Sequence, residues 1–195
     1  MTIEKEYLDP RKGFLGEWDK FIGPGANKVE LLLILGIALI AGLVMLFFGI
    51  FGNLNWNILQ IILATLIAVD LGGGVVANAA SPAKRWYHRE GQGFWKHMIF
   101  VLFHIYSFIV AFLFRPTDWV YGIVIYGYLI ISSIIIILIP LYLQRPTSVI
   151  LFSGAIMINW YGFSSTPGLE WFIPVLFLKL LLGHLVKEEP YRPEK

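Results

Sequence analysis

Six apolar stretches divide this chain, each long enough or nearly long enough to cross a bilayer, and they leave little else to fold. A helix rises 1.5 Å per residue, so about 20 apolar residues cross the hydrocarbon. The stretches cover 29–52, 57–79, 94–114, 119–141, 147–163 and 170–186. Inside a bilayer every backbone N–H and C=O must be bonded within the protein, and single apolar runs achieve that as helices. The sequence therefore predicts an all-α, polytopic integral membrane protein with six transmembrane helices. Of its 195 residues only 14% are charged, against roughly 25% in a soluble domain. The last two stretches are short, about 17 residues each, and both full spans and a re-entrant pair fit them. Ser164-Ser165-Thr166-Pro167-Gly168 marks the turn between them.

Lys and Arg set the orientation. With six spans, one side carries Lys5, Arg11, Lys12, Lys20, Lys28, Lys84, Arg85, Arg89, Lys96, Arg145, Lys187, Arg192 and Lys195; the other carries Arg115. This asymmetry predicts both termini on the cytoplasmic side; the missing signal pattern and the lack of any retention motif make a plasma (inner) membrane the expected location. The first 28 residues have mixed charge and no apolar core, which is not the pattern of a cleaved signal peptide. Within them Phe14, Leu15, Trp18, Phe21 and Ile22 recur at helical spacing among Lys12, Glu17, Asp19 and Lys20. That pattern predicts an amphipathic helix lying in the interface. The organisation read here is a tail over 1–28 with this helix, a six-helix membrane domain over 29–186, and a tail over 187–195.

Asp70 is the costliest residue in the membrane domain. A carboxylate at bilayer depth costs roughly 2.5–3.5 kcal/mol on insertion scales and usually faces protein or a water-filled cavity. Counted from the 80–93 loop, Asp70 and His104 both lie roughly 14–15 Å deep, and Lys179 roughly 11 Å from its own end of the last span. Lys179 is placed either to pair with Asp70 or to snorkel to the interface. A second layer holds His97, Asn78, His88 and His184. Asp70 and His104 are the candidate catalytic pair, as acid and base or as metal ligands.

Asp70, His97 and His104 have the composition of a two-histidine, one-carboxylate set for a transition metal. His97 and His104 stand two turns apart, roughly 10.5 Å along the axis, which argues against one ion taking both. Haem is the second cofactor reading, with His97 and His184 as facing ligands. Asn78, Arg85, His88, Arg89, Lys179 and His184 are the candidate substrate-binding residues. The basic–aromatic run Lys84-Arg85-Trp86-Tyr87-His88-Arg89 suits either a membrane anchor or an anionic head group.

The chain has no cysteine, which excludes disulfides, thiolate metal sites and cysteine nucleophiles. It has no HExxH sequence and no desaturase-type histidine box. Membrane lipids are the expected partners. Nucleic acid is not, for a basic loop pinned at the bilayer. Gly36, Gly42, Gly49 and Gly52 in the first span and Gly72-Gly73-Gly74 in the second permit close helix approach, within the chain or in an oligomer. Three classes of function fit: a membrane-embedded enzyme acting on a lipid or other hydrophobic substrate, a small proton- or ion-coupled transporter or channel, and an accessory subunit or assembly factor.

Overall fold

The structure is a computed structural model that describes residues 8–116 and 118–188. Lys5, Arg192, Lys195 and most of the C-terminal tail lie outside the described residues. The chain is a bundle of apolar helices, a polytopic helical membrane protein. Among the described residues five helical stretches are long and apolar enough to cross a membrane, and a shorter one, Phe172–Leu185, packs with them.

Helix α1 (Phe14–Ile22) is the amphipathic element of the tail. Phe14, Leu15 and Phe21 point outward, while Gly16, Asp19 and Ile22 are buried. Asp19 closes the preceding turn by accepting from the Arg11 backbone N–H and from its guanidinium at 2.6 Å. Helices α2 (Lys28–Phe51) and α3 (Ile58–Ala79) form an antiparallel pair. Both begin at capping boxes, Asn27 with Glu30 and Asn57 with Gln60, which bond two orphan N–H groups at each start.

Glycine brings this pair together. A Cβ on Gly72 would lie 2.8 Å from the Ala41 methyl, and one on Gly73 2.9 Å from that of Ala38. Gly42 and Gly49 meet Val69 and Ile61 in the same seam. These small-residue faces are therefore filled within the chain, while Gly36 faces open space. Helix α3 continues unbroken through the three glycines.

Helix α4 (Ser81–Tyr87) follows directly and docks on α1, where the Tyr87 hydroxyl is 3.1 Å from the carbonyls of both Lys20 and Phe21. The third span, Phe94–Phe114, is broken into α5 (Phe94–Leu102) and α6 (Tyr106–Phe114). His104 causes the break. Its ring Nδ1–H donates to the Phe100 carbonyl at 2.8 Å, taking the acceptor that its own backbone N–H would use in an α-helix. The His104 N–H bonds Val101 O instead.

Helix α7 (Trp119–Leu138) ends at Ile139-Pro140, and α8 (Leu141–Gly162) starts at once. This corrects the expected fifth span: residues 141–146 are helical, and Gln144, Arg145 and Pro146 do not form a loop. The extended Pro140 turns the chain. Gln144 and Ser148 are buried against the bundle, so their polarity marks an inward face.

The last span comprises α9 (Phe172–Phe177) and a π-helical segment, Leu178–Leu185. It reaches from one loop layer to the other. A Cβ on Gly168, just before it, would meet Trp56 at the start of α3. At its far end the Val186 carbonyl accepts from Lys84, just beyond the end of α3. It thus runs parallel to α3 through the bundle, beside an α8 of 22 residues. Arg115 ties the opposite loop layer. It is buried, donating to Asp118 at 2.6 Å, Ser164 O at 2.6 Å and Thr166 Oγ1 at 2.8 Å. The side holding Lys84 and Lys187 is called the basic face below.

Candidate functional site

Two polar layers sit inside this frame. In the inner layer Lys179, from the π-helical segment, meets Asp70 of α3 at 2.6 Å between Nζ and Oδ2. Tyr106, in the first turn of α6, donates its hydroxyl to the same oxygen at 2.9 Å. Lys179 Nζ is also 3.4 Å from the Asp70 carbonyl. Gly74 makes room for the lysine: a Cβ there would lie 2.8 Å from Nζ and 2.9 Å from Cδ. Asn78 is buried one layer nearer the basic face and donates to the Lys179 carbonyl at 3.4 Å.

The two partners differ in exposure. The Lys179 side chain is 4% exposed and the Asp70 side chain 31%. Both bonds to the Asp70 carboxylate fall on Oδ2; among the described residues Oδ1 accepts no hydrogen bond. Leu59, Ile62 and Leu66 form the exposed stripe of α3, and Asp70 continues it at the next helical repeat. One carboxylate oxygen is held by two donors, and the side chain as a whole keeps partial exposure on that side of α3.

His104 does not bond Asp70. Tyr106 lies between them, its ring edge-on to the imidazole at 5.6 Å between centroids. Because His104 Nδ1–H is committed to Phe100 O, the neutral ring keeps its lone pair on Nε2.

The outer layer gathers three histidines from three elements. His97 of α5 and His184 of the π-helical segment share a hydrogen bond, Nδ1 to Nε2, at 3.2 Å. His88, just after α4, stacks on His97 at 4.8 Å and donates Nε2–H to the His184 carbonyl at 2.9 Å. Burial, reinforced by nearby His97 and Lys84, pushes the His88 pKa down to about 3, so it is neutral at pH 7. His184 Nδ1 is buried and has no hydrogen-bond partner among the described residues. Phe100 stacks on His184 at 4.0 Å and separates this layer from His104.

Lys84 is not a lipid anchor. Its side chain is buried and donates to the carbonyls of Leu182 at 3.3 Å and Val186 at 2.7 Å, closing the end of the last span. A cation there also complements the carbonyl end of that helix. Burial lowers its pKa to about 8, with Glu188 opposing the shift.

The outer layer opens on the basic face into a polar cavity of about 520 Å³, lined by His88, Arg89, His97, Gln144 and Lys187 among others. Arg89 lies over the Trp86 ring and donates to the Trp86 carbonyl. Arg85 lies elsewhere, in a small cleft between the N-terminal segment and α4. A second cavity, about 760 Å³ and apolar, lies between α2, α3 and α9 on the opposite side of α3 from Asp70.

These positions bear on the cofactor readings. Asp70 is engaged by Lys179 and Tyr106, while His97 is engaged by His184, so the proposed three-ligand set is not assembled. Among the described residues no group of three or more His, Asp or Glu side chains is arranged to hold a metal ion. His97 and His184 meet ring to ring, 5.1 Å between centroids, which leaves no space for a macrocycle between them. Tyr106, Gln144 and the buried role of Lys84 are additions that sequence reasoning missed. The signal for Tyr106 was its position two residues after a midplane histidine; the signal for Gln144 was a lone amide next to an apolar run.

Compared with known proteins, the chain matches no family model, no curated protein and no solved structure.

Proposed function

We propose that this chain is a membrane-embedded enzyme acting on a lipid or other hydrophobic substrate, with Asp70 as the group that accepts and returns a proton. The observation that carries this reading is the asymmetry of the carboxylate: Oδ2 is fixed by Lys179 and Tyr106, Oδ1 accepts no hydrogen bond among the described residues, and the side chain is 31% exposed in line with the exposed stripe of α3. A substrate arriving laterally from the hydrocarbon would meet Oδ1 without displacing either partner. Lys179 supplies the charge that keeps the carboxylate in place, Tyr106 fixes its orientation, and His104 backs Tyr106. A membrane of bacterial plasma-membrane type, with the basic face cytoplasmic, completes the proposal.

The test is mass spectrometry of lipid extracts from a host expressing wild type, Asp70→Asn or Tyr106→Phe at matched levels. The expected result is a change in lipid profile with wild type that Asp70→Asn abolishes and Tyr106→Phe reduces. An identical profile for wild type and Asp70→Asn would refute the assignment.

Proton-coupled transport is a second reading, favoured by the directly bonded ionisable cluster of Lys179, Asp70 and Tyr106 inside the bundle. It predicts an Asp70-dependent proton flux in proteoliposomes with no change in host lipids.

A further inference from the structure

We infer that the cavity on the basic face is a binding site for a phosphate-class anion. The floor and one wall are built from donors. Helix α5 opens the cavity with its N-terminus: Gly93 and Phe94 line it, and no side chain caps the helix there. Uncapped first-turn N–H groups and the helix dipole both favour an anion.

Two buried side chains aim polar atoms at the same space. Gln144 is more than nine-tenths buried and lines the cavity. Its Oε1 accepts from the Lys187 N–H at 3.0 Å, which fixes the amide with its NH2 group turned away from that bond. Among the described residues that NH2 group has no acceptor. His97 is buried to a similar degree and also lines the cavity. Its Nδ1 is bonded to His184 Nε2; in the tautomer where His184 Nε2–H donates, His97 Nε2–H is a donor without a protein partner among the described residues.

Charge agrees with this donor set. Lys187 and Arg89 stand on the rim, the latter tethered over Trp86, against one carboxylate in the lining, Glu90. The loop at the mouth carries Gly91 at φ +79° and Gly93, and a Cβ at either would meet nothing within 4 Å. A tetrahedral oxyanion can therefore approach the backbone at the start of α5 without steric hindrance. The inference stands on the cavity's own donors, independently of the role proposed for Asp70. The same chemistry has two sources, a free phosphate or the phosphate of a lipid head group whose chains stay in the bilayer.

Two substitutions test it with the fold retained. Gly93→Asp places a carboxylate at the N-cap of α5, where it stabilises the helix and occupies the anion's place. Gln144→Glu keeps Oε1 for the Lys187 N–H and replaces the amide donor with a second oxygen. The full chain in mild detergent is titrated calorimetrically with inorganic phosphate and, separately, with dihexanoyl phosphatidic acid. The expected result is saturable binding of at least one probe, weakened tenfold or more in both variants. Saturation by inorganic phosphate identifies a soluble ligand; saturation by the lipid alone identifies a head group. The inference is overturned if neither probe saturates wild type, or if both variants bind as wild type does.

Discussion

Replacing Lys179 by Met should destabilise the protein far more than replacing Lys179 and Asp70 together. In the native fold the ammonium and carboxylate meet at 2.6 Å, with the lysine 4% exposed. Lys179→Met leaves Asp70 at the same depth without its counter-charge, and removing one partner of a buried pair costs about 3–5 kcal/mol. Tyr106 still donates to the orphaned carboxylate, which places the expected loss near the lower end, about 3 kcal/mol. In Asp70→Asn/Lys179→Met no charge remains to be buried. The asparagine carbonyl keeps the Tyr106 hydroxyl bond, and methionine fills the lysine's channel. A buried ion pair exchanged for neutral groups of similar volume is often near neutral, so the double variant should lie within about 1 kcal/mol of wild type. The assay is reversible unfolding in mixed micelles of rising SDS fraction, followed by tryptophan fluorescence. A double variant as unstable as the sum of the two singles would refute the reasoning, because the pair would then carry no coupling.

Tyr106→Phe removes a hydrogen bond to a charged group and should cost about 1.5–3 kcal/mol; the same substitution in an Asp70→Leu background should cost little, measured in the same micelles. Gly74→Ala forces a methyl against the Lys179 side chain and should cost about 1–3 kcal/mol, whereas Gly36→Ala, which meets nothing within 4 Å, should be neutral or stabilising. For His88 the folded-state pKa of about 3 lies below the ordinary value of 6.5. The unfolded chain therefore takes up a proton first as pH falls, and stability drops from pH 6.5 downward by about 1.4 kcal/mol per unit from this group. A pH series of unfolding midpoints should show a slope at least that steep, and His88→Gln should reduce it by about this amount; equal slopes in both proteins would contradict the buried, neutral state of His88.

Much of the frame was legible because bilayer thickness and apolar run length constrain each other tightly. The limits expected for the second span, 57–79, and the helix observed, Ile58–Ala79, differ by a single residue. Equal counts from one loop put Asp70 and His104 at one level, and in the fold both meet Tyr106. What separated them was the break at His104, where a ring nitrogen competes for a carbonyl that only the folded geometry reveals. The fifth span was read as starting too late because Gln144 and Arg145 look like loop residues. Burial of Gln144 depends on Lys187, 43 residues away, and no local pattern encodes that. Spans two and six gave no sign in sequence that they were neighbours, so the choice of Lys179 between pairing and snorkelling needed the fold.

The wide turns that end the last span carry a message about chain length. Lys179 and His184 are five residues apart, and they serve different layers from the same side of one helix. On an α-helix five steps of about 100° would leave them roughly 140° apart, so one of the two contacts would be lost. The wider turns of an i to i+5 bonded segment narrow that angle. A chain shorter by one residue in that interval would bring them within roughly 40° on an ordinary α-helix. The segment therefore has the geometry of an accommodated insertion: one extra residue absorbed by widening the turns, with both side chains kept in register. Deleting the partly buried Leu182 should therefore be tolerated better here than adding a residue.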